Sequence, residues 1–333
     1  MKRVTSVSPV RLSLSRLHAA AGIILLVYSA VSVFAELPHE ESEHVPNGWD
    51  NAHQAISTHI GFLSRHVDRF FEDSAYVEES TRTRLTVRQE ASVSRNHDLG
   101  FTTHISASVT LPNMERRLRL MFDANEDVED EFEGSSNFSD SLNNSFDRPS
   151  LRLQYGISQS SNLSLELAGG IVLKHARPFA GPRLRYSRDI SDTLCFRATE
   201  RFYRYTKYGW RSRTEFDLNQ SIGSRNLLRQ RVKFDWSEKK QSDDGVKITF
   251  STNFFQPLSN KRVFKYGWDT VYKTKHGKGW DSTMVSVSYR QRLWRKWLVG
   301  EITPFTRWED AYDWQTDPGI AMSVSVIFEE REK

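Results

Sequence analysis

From Thr81 onward the apolar positions of this chain recur at every second residue. Between Arg82 and Ser94, Leu85, Val87, Ala91 and Val93 alternate with Arg82, Arg84, Arg88 and Glu90. Past a short turn at 95–98, Phe101, Thr103, Ile105, Ala107, Val109 and Leu111 oppose Gly100, Thr102, His104, Ser106, Ser108 and Thr110. Pro112 and Asn113 reverse the chain into a third run, in which Leu118, Leu120 and Phe122 oppose Arg117 and Arg119. A period of two is that of a strand whose faces meet different surroundings. Such runs joined by turns predict successive antiparallel hairpins. The pattern continues through 151–157, 163–173, 182–186, 194–205, 210–222, 227–236, 246–254, 262–272, 283–293, 298–308 and 320–328. The count is 14 strands, or 12 if the weak segments 182–186 and 298–308, the latter bearing Pro304, are not strands.

The closing run defines the architecture. Ile320, Met322, Val324, Val326 and Phe328 alternate with Ala321, Ser323 and Ser325. One face suits hydrocarbon and the other a watery interior. In a membrane every backbone donor and acceptor must be paired, so such a strand requires a closed ring of partners. Tight connections (158–162, 189–192, 223–226, 257–260, 295–296) alternate with longer charged ones (125–148, 174–181, 237–245, 274–280, 309–319). Short turns at one rim and long loops at the other belong to transmembrane barrels. Eight of the nine tryptophans lie in the C-terminal half, mostly near strand ends, where interfacial girdles belong. A soluble sandwich would also alternate, but it would turn its apolar face inward and would not need the long series of arginines on the other.

The front of the chain follows different rules. Lys2, Arg3, Arg11 and Arg16, then an apolar run from Ala19 to Phe34, then Val33 and Ala35 as small residues before a cleavage point, read as a signal peptide over 1–35. The run is short for a spanning helix and carries Ser29 and Ser32, which argues against an inner-membrane anchor. Residues 36–80 form an acidic leader. In it Ile56, Ile60, Leu63, Val67, Phe70 and Phe71 make one stripe of an amphipathic helix. Phe62, Leu63, Val67, Phe70 and Phe71 are the apolar side chains with which it would plug the barrel or cover its periplasmic mouth. His59 and His66 are two helical turns apart, a poor spacing for a metal.

Charge changes the picture of the body. The formal net charge is +4, but the signal peptide 1–35 holds four basic residues and no acid, so the remainder carries 42 of each sign. That balance gives no reason to expect nucleic acid. Glu36–Ser80 has ten acidic and two basic residues, while Thr81–Lys333 has 40 basic and 32 acidic. An acidic head therefore precedes a basic body. Cys195, the single cysteine, makes no internal disulfide and lies far from the cleavage point, unlike a lipoprotein cysteine. In the loop 125–148, Asp123, Asn125, Asp127 and Asp130 approach calcium-ligand spacing. Val128 and Gly134 then stand where an EF-hand needs Gly and Glu, so no metal site or cofactor is expected.

Together the leader, helical head, alternating strands, aromatic belts and aromatic-terminated last strand resemble the bacterial outer-membrane β-barrel class, porin-like in type. The resemblance spans 81–328 and implies an all-β, up-and-down transmembrane barrel with an N-terminal helix. It places Phe328 as the assembly signal read by the barrel assembly machinery, before a charged tail at 329–333. It also implies outer-membrane lipid and lipopolysaccharide as surroundings. It carries no functional motif. With the apolar parity toward lipid, the interior receives Arg82, Arg84, Arg88, Arg117, Arg119, Arg152, Arg197, Arg201, Arg211, Arg213, Arg229 and Arg231. Arg183, Arg185, Lys233, Lys247, Arg290 and Arg307 join them, against Glu90, Asp123, Glu166, Glu215, Asp217, Asp235, Asp269 and Glu301. Guanidinium groups in a low-dielectric tube favour small anionic solutes. A passive channel is expected, with a plugged structural or partner-binding barrel as the alternative and fatty-acid uptake through a hatch as a third. No catalytic residue is expected: there is no Gly-x-Ser-x-Gly elbow, and His104 with Ser106 or Ser108 would sit too far apart along one strand for a dyad.

Overall fold

In a computed structural model the described residues, 83–329 apart from 111–117, 124–149, 240–244, 276–278 and single or paired turn positions, form one closed antiparallel barrel. Its fourteen strands are β1 Arg84–Ser94, β2 Gly100–Thr110, β3 Leu118–Asp123, β4 Ser150–Gln159, β5 Leu163–Val172, β6 Arg177–Ser191 and β7 Leu194–Tyr205, followed by β8 Gly209–Ile222, β9 Asn226–Ser237, β10 Lys247–Ser259, β11 Arg262–Lys273, β12 Gly279–Arg292, β13 Leu298–Glu309 and β14 Asp317–Glu329. Each strand pairs with its sequence neighbours, and β14 pairs with β1 to close the ring. The seam runs from Arg84↔Glu329 and Leu85↔Phe328 to Ser94↔Gly319. Closure leaves no strand edge, which is how a sheet satisfies its backbone where no water is at hand.

The side chains sort as the pleat dictates. In β8, Arg211, Arg213, Glu215, Asp217, Asn219 and Ser221 are buried, while Phe216 among them and Ile222 at the strand's end are exposed. Leu151, Leu153, Leu167, Phe202, Phe250, Met322 and Val324 are likewise exposed. Polar and charged groups point in and apolar groups out, the inverse of a soluble fold. A closed, even-stranded barrel with that polarity is an outer-membrane β-barrel.

Turns of a few residues at 160–162, 192–193, 223–225, 260–261 and 293–297 lie at the rim that also holds Arg84 and Glu329. By the rule for such barrels this rim is periplasmic. Trp294 and Trp297 mark it, with Trp297 stacked on Phe328 at 6.5 Å and 12°. Trp210, Trp236, Trp280 and Trp308 stand at strand ends on the opposite, outer rim.

Two readings of the pattern are corrected. The segment 182–186 is the middle of a fifteen-residue strand, so 174–181 is mostly strand rather than a long loop. Strand β12 begins at Gly279, and β13 and β14 extend to Glu309 and back to Asp317, shortening the loops expected there. The signal peptide, the acidic segment 36–80 with its expected amphipathic helix, and the loop 125–148 lie outside the described residues.

Candidate functional site

The inner face of the barrel is divided by chemistry. Strands β6 to β9 carry a lattice of buried arginines and acids. Arg201 Nη1 donates to Glu215 Oε1 at 2.7 Å, Arg213 Nε to Asp235 Oδ1 at 2.6 Å, and Arg231 Nε to Asp217 Oδ1 at 2.5 Å. Arg229 Nε donates to Asn219 Oδ1 at 2.7 Å, and Lys233 Nζ lies 4.0 Å from Asp235. Further round, Arg183 Nη1 bonds Glu166 at 2.9 Å, and Gln154 Nε2 donates to the same carboxylate. The antiparallel register produces these contacts, since Asp217↔Arg231, Arg213↔Asp235 and Glu166↔Arg183 face one another directly.

Strands β12 to β14 present a different wall. Ser286, Ser288, Thr303, Ser323 and Ser325 are buried there, and Thr303 Oγ1 donates to Ser288 Oγ at 2.9 Å. The ion pair Arg290–Glu301, at 3.2 Å, crosses this hydroxyl-rich sector. On β1, Arg88 Nη2 bonds Glu90 at 2.6 Å. Among the buried side chains described, thirteen are Lys or Arg and six are Asp or Glu. The excess of positive charge is concentrated on one side.

Small apolar clusters lie near both rims of the interior. Leu227, Phe255 and Val263 sit toward the periplasmic rim, and Ala168, Val172, Phe179, Tyr203 and Tyr205 toward the outer one. Two inward glycines make room for these rings. A Cβ on Gly170 would stand 2.7 Å from Phe179 Cζ, and one on Gly181 would stand 2.6 Å from Tyr203 Cδ1 and 2.0 Å from the Phe202 carbonyl. Guanidinium groups cover the rings: Arg152 lies 5.8 Å over Phe179, and Arg211 lies 5.3 Å over Tyr205. A guanidinium over an aromatic face gains cation–π attraction and keeps edge N–H groups whose geometry matches a carboxylate or phosphate.

Of the arginines the pattern directs inward, Arg84, Arg119, Arg201, Arg211, Arg213, Arg229 and Arg231 are buried, and Arg88, Arg152 and Arg197 share their parity at intermediate exposure. Arg82 and Arg117 lie outside the described residues, as do Phe62, Leu63, Val67, Phe70 and Phe71. Several inward charges escape the pattern, among them Arg177, Lys265, Glu309 and Asp317. Arg177 was hidden by Pro178 and Pro182 on the alternate parity, and Lys265 by its apolar parity-mate Val263. Glu309 and Asp317 read as loop, yet they continue the parity of Arg307 and Ala321.

At the outer rim Asp317 accepts from Ser94 Oγ at 2.9 Å, from the Asn96 N–H at 2.9 Å and from Arg307 Nη2 at 3.0 Å, clasping the 95–99 turn to the β13–β14 corner. His97, Glu309 and Asp317 lie close enough together to suggest a cation site. Arg307 already supplies the positive charge at its centre, 2.8 Å from His97 Nδ1 and 3.3 Å from Glu309.

No family model matches this chain, and no curated protein does. Solved structures resembling it include the anion-selective porin from Comamonas acidovorans, at 8% identity over 74% of this chain and 98% of that one, with a TM-score of 0.44. OmpT, an outer membrane protein of Vibrio cholerae, resembles it at 10% identity over 74% and 96%, with a TM-score of 0.44. KdgM porin in complex with disordered oligogalacturonate does so at 7% over 73% and 99%, with a TM-score of 0.34.

Proposed function

We propose that this barrel is a passive outer-membrane channel that prefers small anionic solutes. The observation that carries the reading is the basic sector of β6–β9, where inward arginines outnumber inward acids on a closed, polar interior. Fixed guanidinium groups in a tube walled by low-dielectric lipid attract anions and offer forked donors to carboxylate and phosphate. The hydroxyl-rich sector of β12–β14 supplies neutral hydrogen-bonding groups opposite, suited to the polar remainder of such a solute. Nothing in the reading requires a covalent step, a cofactor or a resident metal.

A second reading rests on charge as well. Residues 36–80 carry ten acids and two bases, opposite in sign to the interior, and would serve as a plug or periplasmic cover held partly by that attraction. Single-channel recording in a planar bilayer separates the two. The mature chain is to be compared with a version beginning at Ser80. Conductance steps from both, with reversal potentials of anion sign, are the expected result. Steps from the shortened form alone would make 36–80 a plug. Silence from both, in barrels that remain heat-modifiable, would remove the channel and leave a structural or partner-binding barrel.

A further inference from the structure

The periplasmic rim carries basic side chains that the interior ion-pair lattice does not use. Four successive hairpins bring them there. Arg188 lies near the end of β6, Arg225 between β8 and β9, Lys261 and Arg262 at the turn from β10 to β11, and Arg295 between β12 and β13. All five are exposed, and among the described residues none of the five side chains has a hydrogen bond or an ion pair. The described acids of this rim are Asp189, Asp192 and Glu329, so exposed basic groups are in excess. The outer rim differs. There Arg95, Lys239 and Lys275 stand among Asp98, Glu238, Asp310 and Asp313, and Lys273 is paired with Asp281 at 2.8 Å. A single basic turn is an ordinary solvated feature. Basic groups at every periplasmic turn from β6 to β13, which is eight of the fourteen strands, form a collar.

The surroundings of the collar decide what lies against it. Arg188 and Arg262 have the outward parity of their strands, in line with Tyr186 on β6 and with Phe264 and Tyr266 on β11. Exposed apolar side chains sit at the same rim, namely Ile190, Ile222, Leu258, Trp294 and Trp297. The cations therefore stand at the edge of hydrocarbon, where a Lys or Arg stem lies along apolar surface and its head reaches the level of the phosphates. We propose that this collar binds the phosphate headgroups of anionic glycerophospholipids in the periplasmic leaflet and selects them over zwitterionic ones. A guanidinium offers paired N–H groups to a phosphate, and an ammonium offers a point charge. Neighbouring turns are two strands apart, roughly 10 Å, so each meets a headgroup of its own. A zwitterionic headgroup carries a cation beside its phosphate and gains less from the same contact. The acidic segment 36–80 is the competing occupant, because it enters the barrel at this rim through β1. The outward parity of Arg188 and Arg262, toward lipid and away from the barrel mouth, favours the headgroups.

Spin-labelled lipids test this in phosphatidylcholine vesicles holding the mature chain. The fraction of label immobilised on the barrel is compared for phosphatidylglycerol and phosphatidylcholine that carry the same nitroxide on the acyl chain. One Lys or Arg near an anionic headgroup favours it about fivefold, which becomes about twofold over the whole annulus because the collar borders roughly half of one leaflet. That preference is expected at low salt and is expected to shrink in molar salt. Arg188→Gln, Arg225→Gln, Lys261→Gln, Arg262→Gln and Arg295→Gln together are expected to bring the ratio to one while heat-modifiable mobility persists. Arg95→Gln, Lys239→Gln and Lys275→Gln at the outer rim are expected to leave the ratio as it was. A ratio of one in the unaltered chain, a preference that survives the five changes, or a preference lost with the outer-rim changes would each overturn the proposal. A preference that appears only when the chain begins at Ser80 would overturn it too, by placing the acidic segment on the collar instead of lipid.

Discussion

Asp217 and Arg231 set the scale of what one ion pair is worth inside this barrel. Their contact is 2.5 Å long and their side chains are 4% and 7% exposed. Removing one partner of such a pair leaves the other charge buried without its match, at a cost of about 3–5 kcal/mol, whereas removing both costs far less. Asp217→Asn is therefore expected to lower stability by about that amount, read as a lower urea midpoint for loss of the heat-modifiable form. Asp217→Asn with Arg231→Gln is expected to recover much of the loss. Equal destabilisation by the single and double changes would mean that the pair is held by the lattice around it rather than holding it. The lattice is dense enough for that to be a real contest, because Glu215 between Arg201 and Arg213, and Asp235 beside Lys233, lie on the same three strands.

At the scale of the strand, β14 closes the ring, and we propose that its terminal aromatic is also the signal read in assembly. Phe328 pairs with Leu85 across the seam and stacks on Trp297 of the last periplasmic turn. Phe328→Ala removes a ring contact worth about 0.5–1.5 kcal/mol, small against a closed sheet. Its expected effect is therefore a several-fold lower yield of folded barrel in cells, with little change in the urea midpoint of the barrels that do fold. A normal yield would deny the residue its part in assembly. The strands that were legible in sequence share a property with β14: one parity is mostly apolar and the other small, polar or charged, as in β2 and β8. Strand β6 was legible only in its middle, because Pro178 and Pro182 stand on its outward parity and read as breakers, although the missing N–H of proline is tolerable where the ladder already skips. Glu200 was not legible as an outward acid, because β7 carries charge on both parities, Arg197 and Arg201 inward and Glu200 and Arg204 outward. Parity there is decided by neighbours the sequence does not name, namely Ser212 and Thr214 across the hairpin, which donate to its carboxylate.

For the whole molecule the governing quantity is the field of an interior whose charge lies mostly on one side. The arginines of β6–β9 act on a passing ion across a watery gap, so salt screens them in proportion to the distance they must reach. The screening length is about 10 Å at 0.1 M and about 3 Å at 1 M. A solute crossing near the hydroxyl wall of Ser286, Ser288 and Ser325 is within range of the basic sector in dilute salt and beyond it in molar salt. Anion over cation permeability, from reversal potentials in a potassium chloride gradient, is accordingly expected to exceed one at low mean salt and to fall toward one as mean salt approaches molar. Selectivity that holds unchanged across that range would mean that solutes touch the arginines directly, at separations no screening reaches, and would move the path from the middle of the barrel to its basic wall. Cation preference at low salt would show that acids outside the described residues, including the ten of 36–80, set the sign of the interior field.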